Sequence, residues 1–257
     1  MTRSRFPEPF AAYWRFAHSV RYKRRYLLTQ EVRAFLRDVR ETAERRADTV
    51  PADALLWRAQ DGASKIELPI DGTDDTYEED YPFGTSRMKP LADRAKEGRA
   101  NPKGIPFLYL ATKRDTAAAE VRPWKGGVVS ISQFRATRDL RLVNTTILSK
   151  KYDLLFLATT PLKAQLREEA VWGDIDHAFA EPTSLSDDTT EYTPTQVLAE
   201  LFREAGFDGV AYRSAYGDGH NVVLFDVSLA EQVNGSLLRV RDIKFTFEPD
   251  QQFCYNV

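Results

Sequence analysis

Residues 193–225 read TPTQVLAELFREAGFDGVAYRSAYGDGHNVVLF. They carry a helix, a strand, a turn and a second strand in immediate succession. Thr193 is placed as N-cap and Pro194 at the first helical position, and Gln196 completes a capping box. Val197, Leu198, Leu201 and Phe202 form an apolar stripe at helical spacing, and Gly206 ends the helix as C-cap. The chain then enters a strand over 210–212, passes Ser214, turns at Gly217, Asp218 and Gly219, and returns as a strand over 221–225. A strand that turns back on itself after a helix predicts an α+β fold rather than a doubly wound parallel sheet.

Working outward, Thr160 and Pro161 fit the start of a helix running to about Val171, followed by a polar loop over 181–191. Upstream lie strand candidates at 105–111, 128–134 and 140–144. A short helix capped by Asp115 or Thr116 runs to Val121, because Pro123 disfavours helix at Arg122. Apolar residues from Leu55 lead to Arg58 at the end of a further strand. Residues 65–96 hold Asp71, Asp74, Asp75, Glu78, Glu79 and Asp80 without the ligand spacing or glycine of a calcium loop, and read as a surface insertion. Near the C-terminus, Ile243, Phe245 and Phe247 alternate as a closing strand would.

The first 50 residues differ in charge. They hold 12 Lys or Arg and 6 Asp or Glu, a balance of +6 in a chain whose net charge is −2. Thr29 can cap a helix over 29–46 whose Val32, Phe35, Leu36, Val39 and Ala43 share one face. Before it, Tyr13, Trp14, Phe16, Val20, Tyr22 and Tyr26 interleave with Arg15, Arg21, Lys23, Arg24 and Arg25, a mixture that suits packing under a basic rim better than a free nucleic-acid arm. This helical extension is expected to pack on the rest of the chain or on a second copy in a homo-oligomer. Residues 48–53, with Pro51, read as the joint to the main domain at 51–247, and 248–257 as a tail.

Composition narrows the function classes. An apolar share of 42% with 15 Phe and 11 Tyr supports a large packed core and excludes wholesale disorder. No apolar run reaches the roughly 18 residues that span a bilayer, and a polar start argues for a cytoplasmic address. The single cysteine, Cys254, and three histidines argue against a disulfide framework or a metal site. Neither a Walker loop, a dinucleotide glycine fingerprint nor a nucleophile elbow around Ser214 occurs. Three features are left that could carry chemistry. They are Arg58, the polar loop of Arg99, Asn101, Pro102 and Gly104 with Tyr109 and Glu120 beyond it, and Ser214 followed by His220 and Asn221. Each has a plain structural alternative: a bridging arginine and glutamate, a core tyrosine, a turn serine.

Residues 98–123, GRANPKGIPFLYLATKRDTAAAEVRP, together with 208–225, DGVAYRSAYGDGHNVVLF, resemble the RES family, named for an arginine, a glutamate and a serine. Arg58, Glu120 and Ser214 occupy those places in order, and the resemblance covers roughly 51–247. It implies a core similar to the ADP-ribosyltransferases, a mixed or split β-sheet with flanking helices. It also implies NAD+ as substrate rather than bound cofactor, cleavage of the nicotinamide–ribose bond with transfer to water or phosphate, and a toxin held by a cognate antitoxin. The compact toxins of the family lack the first 50 residues, the insertion between Arg58 and Arg99, and the long stretch between Glu120 and Ser214.

The implied roles follow the chemistry. Glu120 would stabilise an oxocarbenium-like ribose and Arg58 and Arg99 would hold the pyrophosphate. Tyr109 would stack on nicotinamide, and Ser214, with Asn101 and Asn221, would bind ribose or phosphate oxygens. ADP-ribosyl transfer to a protein, and a non-enzymatic nucleic-acid or partner-binding module, are the alternative readings.

Overall fold

Alternation of apolar side chains between two faces builds the sheet on which everything else rests. In β9 and the residue after it, Val223 and Phe225 face one core while Val222 and Leu224 face another; in β8, Val210 and Tyr212 oppose Ala211 in the same way. The computed structural model describes residues 6, 8–91, 94–148, 163–182, 189–244 and 246. Its elements are α1 (Pro9–Tyr22), α2 (Gln30–Ala43), β1 (Ala47–Val50), β2 (Leu55–Asp61), β3 (Ser64–Pro69), β4 (Thr76–Tyr81), α3 (Thr85–Met88), β5 (Leu108–Ala111), α4 (Arg114–Glu120), β6 (Val128–Ala136) and β7 (Leu140–Asn144). There follow α5 (Ala164–Ala180), α6 (Thr193–Glu204), β8 (Gly209–Arg213), β9 (His220–Leu224), β10 (Ala230–Gln232) and β11 (Ser236–Arg239).

The fold is α+β. A mixed sheet runs β1-β7-β8-β9-β5-β2-β6-β10, with β11 also on β6. The β7–β8 pair is parallel and the other neighbours are antiparallel. Between β2 and β6 the ladder holds over the whole of β2, from Leu55↔Arg135 to Asp61↔Val129, whereas β2 and β5 share only Trp57↔Ala111. The sheet is therefore split between β2 and β5. There Arg58 Nη1 donates to the Tyr109 carbonyl at 2.7 Å, bridging strands whose own ladder has ended.

Helices α1, α2, α5 and α6 cover one face. Phe16 and Phe35 stack at 4.8 Å, Trp172 and Phe202 at 6.0 Å, and the same core continues into Val143, Val210 and Val223 of the sheet. Thr29 caps α2 as its sequence implies, accepting the Val32 N–H at 3.3 Å. Helix α1 was not legible as a helix, although Tyr13, Phe16, Ala17 and Val20 recur at helical spacing and are buried. Both helices pack on α5 or α6 of the same chain.

Several expectations are corrected. The joint at 48–53 instead opens with strand β1, whose Asp48 and Thr49 pair with Leu142 and Arg141 at the sheet edge. No capping box forms at Thr193, because a 3-10 turn, Thr189–Tyr192, runs straight into α6 and leaves Gln196 for other work. The C-terminal end of α6 does close as read: Gly206 has φ +86°, its N–H reaches Arg203 O, and Phe207 N–H reaches Phe202 O, a Schellman arrangement. Thr160 and Pro161 lie outside the described residues, and α5 runs well past Val171 to Ala180. The acidic insertion contains the β3–β4 hairpin, and its later part turns inward. The closing strand is β11, four residues ahead of Ile243, which is not in a strand; Phe245 and Phe247 lie outside the described residues.

Candidate functional site

A cleft of about 920 Å³ opens where the sheet splits. It is lined by Arg58 of β2 and Tyr109 of β5, by Glu120 and Val121 at the end of α4 with Asn221 of β9, and by described residues of the stretches 86–91 and 94–98.

Glu120 ends α4, and the turn after it is tight: Arg122 takes φ +47° ahead of Pro123. That geometry puts the carboxylate over the β8–β9 turn. Ser214 Oγ donates to Glu120 Oε1 at 2.6 Å and Asn221 Nδ2 donates to the same oxygen at 2.7 Å. Oε2 receives no hydrogen bond from a described residue. One oxygen is thus fixed and the other is open to a ligand. Ser214 is itself held, since its Oγ accepts the Tyr216 N–H at 3.1 Å, and the Arg122 guanidinium lies 4.9 Å from the Tyr216 ring. The strand leading to it is pinned by Arg213, whose Nε donates to the buried Asp176 at 2.6 Å, while Thr145 Oγ1 donates to the other Asp176 oxygen.

Arg58 is held by burial and by that single carbonyl. Burial lowers its pKa to about 10, with the neighbouring Tyr109 opposing the shift, so the side chain is still a cation at neutral pH. Its Nε is sealed from water without a partner. A guanidinium with a spare buried donor beside an open cleft is the arrangement an anionic group completes.

Tyr109 and Asn101 are brought together, but on each other. Tyr109 Oη donates to Asn101 Oδ1 at 2.6 Å and accepts the Ala100 N–H at 2.9 Å, and burial pushes the phenol pKa up. Asn101 Nδ2 donates to the carbonyls of Lys96 and Ile105 at 2.9 and 2.8 Å. Gly98 is required here, because a Cβ would come within 2.5 Å of the Tyr109 hydroxyl. The polar atoms of this pair are spent on shaping loop 96–105, and the Tyr109 ring is what it offers to the cleft. Arg99 stands apart: its Nη1 donates to the Ala178 carbonyl at the end of α5, its guanidinium lies 5.7 Å from the Tyr192 ring, and it does not line the cleft.

Two groups of residues have roles that the sequence did not disclose. Gln196 Nε2 donates to the carbonyls of Gly98 and Asn101 and to Glu97 Oε1, each at 3.0 Å, and Thr195 Oγ1 donates to the Arg99 carbonyl at 2.6 Å, so the first turn of α6 holds the loop in place. Arg87, Lys89, Arg94 and Lys96 bring cations to the cleft wall from the segment read as surface insertion. The alternation of basic residues with Met88 and Ala95, which are buried, is the signal that this stretch packs inward. No set of three or more His, Cys, Asp or Glu side chains among the described residues could hold a metal, and no described helix is long and apolar enough to cross a membrane.

The RES domain family matches residues 55–248. No curated protein matches the chain. Among solved structures, a chain from the crystal structure of the M. tuberculosis MbcT-MbcA toxin-antitoxin complex aligns with a TM-score of 0.42 and 14% identity, over 79% of this chain and 96% of that one.

Proposed function

The chain belongs to the RES domain family, and from that membership we propose that its cleft consumes NAD+, breaking the bond between nicotinamide and ribose, as the toxin of a toxin–antitoxin pair. The observation that carries the reading is the Glu120 carboxylate, which lines the cleft and is fixed through Oε1 by Ser214 and Asn221 while Oε2 takes no hydrogen bond from a described residue.

When the glycosidic bond breaks, its electron pair goes to the pyridinium nitrogen and neutralises it, so departure needs no general acid. The ribose left behind is oxocarbenium-like, and a preorganised carboxylate stabilises it by its field and by accepting from a ribose hydroxyl. The donors on Oε1 are already in place, so little reorganisation accompanies the charge change. Arg58, with its unpartnered Nε, binds a phosphate of the substrate, and the Tyr109 ring gives nicotinamide a surface on which to stack. Water or phosphate then attacks C1′ and loses its proton to solvent.

Incubation of the purified chain with NAD+, with and without phosphate, should release nicotinamide together with ADP-ribose or its phosphorylated form. Glu120→Gln keeps the shape and removes the charge, and it should lower the rate by at least ~100-fold while the melting temperature holds. Nicotinamide release by the variant at the wild-type rate would sink the assignment. Expressed in bacteria, the chain should deplete NAD+ and arrest growth, and the variant should do neither.

A further inference from the structure

Tyr212 of β8 lines the cleft, and the proposed reaction leaves it unused. Only 5% of the residue is exposed, and its ring packs on Phe179 at 5.4 Å. Burial holds the phenol pKa above its ordinary value, so the group keeps its proton at neutral pH. Its hydroxyl forms no hydrogen bond with a described residue, yet it is not sealed from water as the Arg58 Nε is. A buried tyrosine ordinarily finds a partner for its hydroxyl. Here the open side is the cleft, so the partner comes from what the cleft binds.

Strand register fixes where this side chain stands. Tyr212 lies directly opposite Asn221 in the β8–β9 ladder, while Val223 lies opposite Tyr109 in the β5–β9 ladder. Directly paired residues share a face of the sheet, and so do residues two apart on one strand. Tyr212, Asn221 and Tyr109 therefore project from the same face. Asn221, the cross-strand neighbour of Tyr212, donates to Glu120 Oε1, and so does Ser214, two residues along from Tyr212. The side chains of Tyr109 and Glu120 both act electrostatically on the Tyr212 phenol, as does the Arg99 guanidinium. A protonated donor without a protein partner thus adjoins both the carboxylate assigned to the ribose and the ring assigned to nicotinamide.

We propose that the Tyr212 hydroxyl reads the 3-carboxamide of the nicotinamide ring, donating to its carbonyl oxygen, and so selects pyridinium substrates that carry a carbonyl at that position. This rests on the reading of the cleft as an NAD+-consuming site and names the group that tells the leaving base from other pyridines. A ring stacked on Tyr109 with its ribose at Glu120 leaves its substituted edge to a neighbour of both residues. The donor also favours the reaction. When the C1′–N bond breaks, its electron pair goes to the ring nitrogen, and the carboxamide oxygen becomes a better acceptor. The hydrogen bond strengthens as the glycosidic bond opens, and the phenol keeps its proton throughout.

The test is Tyr212→Phe, which removes the hydroxyl and keeps the ring on Phe179, so the melting temperature should hold. Both chains are assayed on NAD+, on its 3-acetylpyridine analogue, which keeps the carbonyl, and on its pyridine analogue, which has none. The substitution should lower kcat/KM by about tenfold on NAD+ and on the acetylpyridine analogue, and by less than about twofold on the pyridine analogue. Comparing variant with wild type within each substrate cancels differences in leaving ability. An equal loss on all three makes Tyr212 structural and overturns the proposal, as does a variant that cleaves NAD+ at the wild-type rate. Calorimetry separates this claim from the reaction itself. A wild type that binds NAD+ without cleaving it, and whose Tyr212→Phe variant binds NAD+ more weakly but the pyridine analogue equally well, keeps the contact and overturns the reaction. An inert chain that binds NAD+ equally with and without the hydroxyl, or not at all, overturns the contact.

Discussion

Arg58 shows how one side chain carries both the architecture and the proposed chemistry. It bridges the split between β2 and β5, and burial brings its pKa down to about 10. The sign of the consequence is fixed by that direction. A base whose folded pKa lies below its unfolded value costs stability while it is charged, and the cost is relieved as pH rises through about 10. Dinucleotide affinity follows the charge in the opposite sense: it should hold up to about pH 9 and fall as pH passes 10. Arg58→Lys keeps the charge but not the fork, and calorimetry should show a loss of about 1.5–3 kcal/mol in NAD+ affinity. Unchanged affinity would remove the residue from the binding site. The residue types at Arg58, Glu120, Ser214 and Asn221 could be read from the sequence. That Ser214 and Asn221 converge on one oxygen could not, because it depends on how the β8–β9 turn and the end of α4 are aimed. Arg99 illustrates the same limit, since its motif fixed its position in a loop but not the carbonyl of α5 to which it turns.

At the scale of elements, α6 was legible as a helix because its stripe, its proline and Gly206 all act locally. Its first turn was misread for the same reason. A threonine followed three residues later by a glutamine satisfies the local pattern of a capping box, but Gln196 finds stronger use across 95 residues of chain, on the carbonyl of Asn101. Gln196→Ala would leave the Gly98 and Asn101 carbonyls without that donor. We expect about 1–3 kcal/mol of lost stability from thermal melting, together with a raised KM for the dinucleotide as loop 96–105 loosens. A variant as stable as the wild type, with KM unmoved, would show that the loop holds its shape without α6. Strand β1 escaped notice because its burial pattern is exposed, as suits a sheet edge, and its composition looked like a linker.

At the scale of the whole molecule, the basic first segment is part of the core. Trp172 Nε1 donates to Thr42 Oγ1 at 3.0 Å, and its ring lies 4.3 Å from the guanidinium of Arg46, which is fully buried and bound to Glu168 at 2.6 Å. Deleting residues 1–50 would expose Val171, Trp172 and Phe202, each completely buried, at about 1.5–3 kcal/mol per side chain, and would strip β1 from the sheet. The truncated chain should lose its cooperative melting transition and its near-ultraviolet dichroism. A truncated chain that melts as sharply as the full one would show that the segment is an appendage. The +6 charge was legible and so was the need to cover the α2 stripe; which surface covers it was not, because the partners come from α5 and α6 far along the chain.

The distance along the chain between Glu120 and its two donors, 94 residues to Ser214 and 101 to Asn221, also sets a schedule. On the ribosome, α4 emerges long before the hairpin that fixes its carboxylate. Helices α1 and α2 likewise wait for α5 and α6 before their apolar faces are covered. A nascent chain halted before Arg213 therefore holds the glutamate without its partners and a basic, aromatic segment without its core. The proposed activity would thus be the last property the protein acquires during its own synthesis, and an interrupted copy leaves apolar faces uncovered and prone to aggregate.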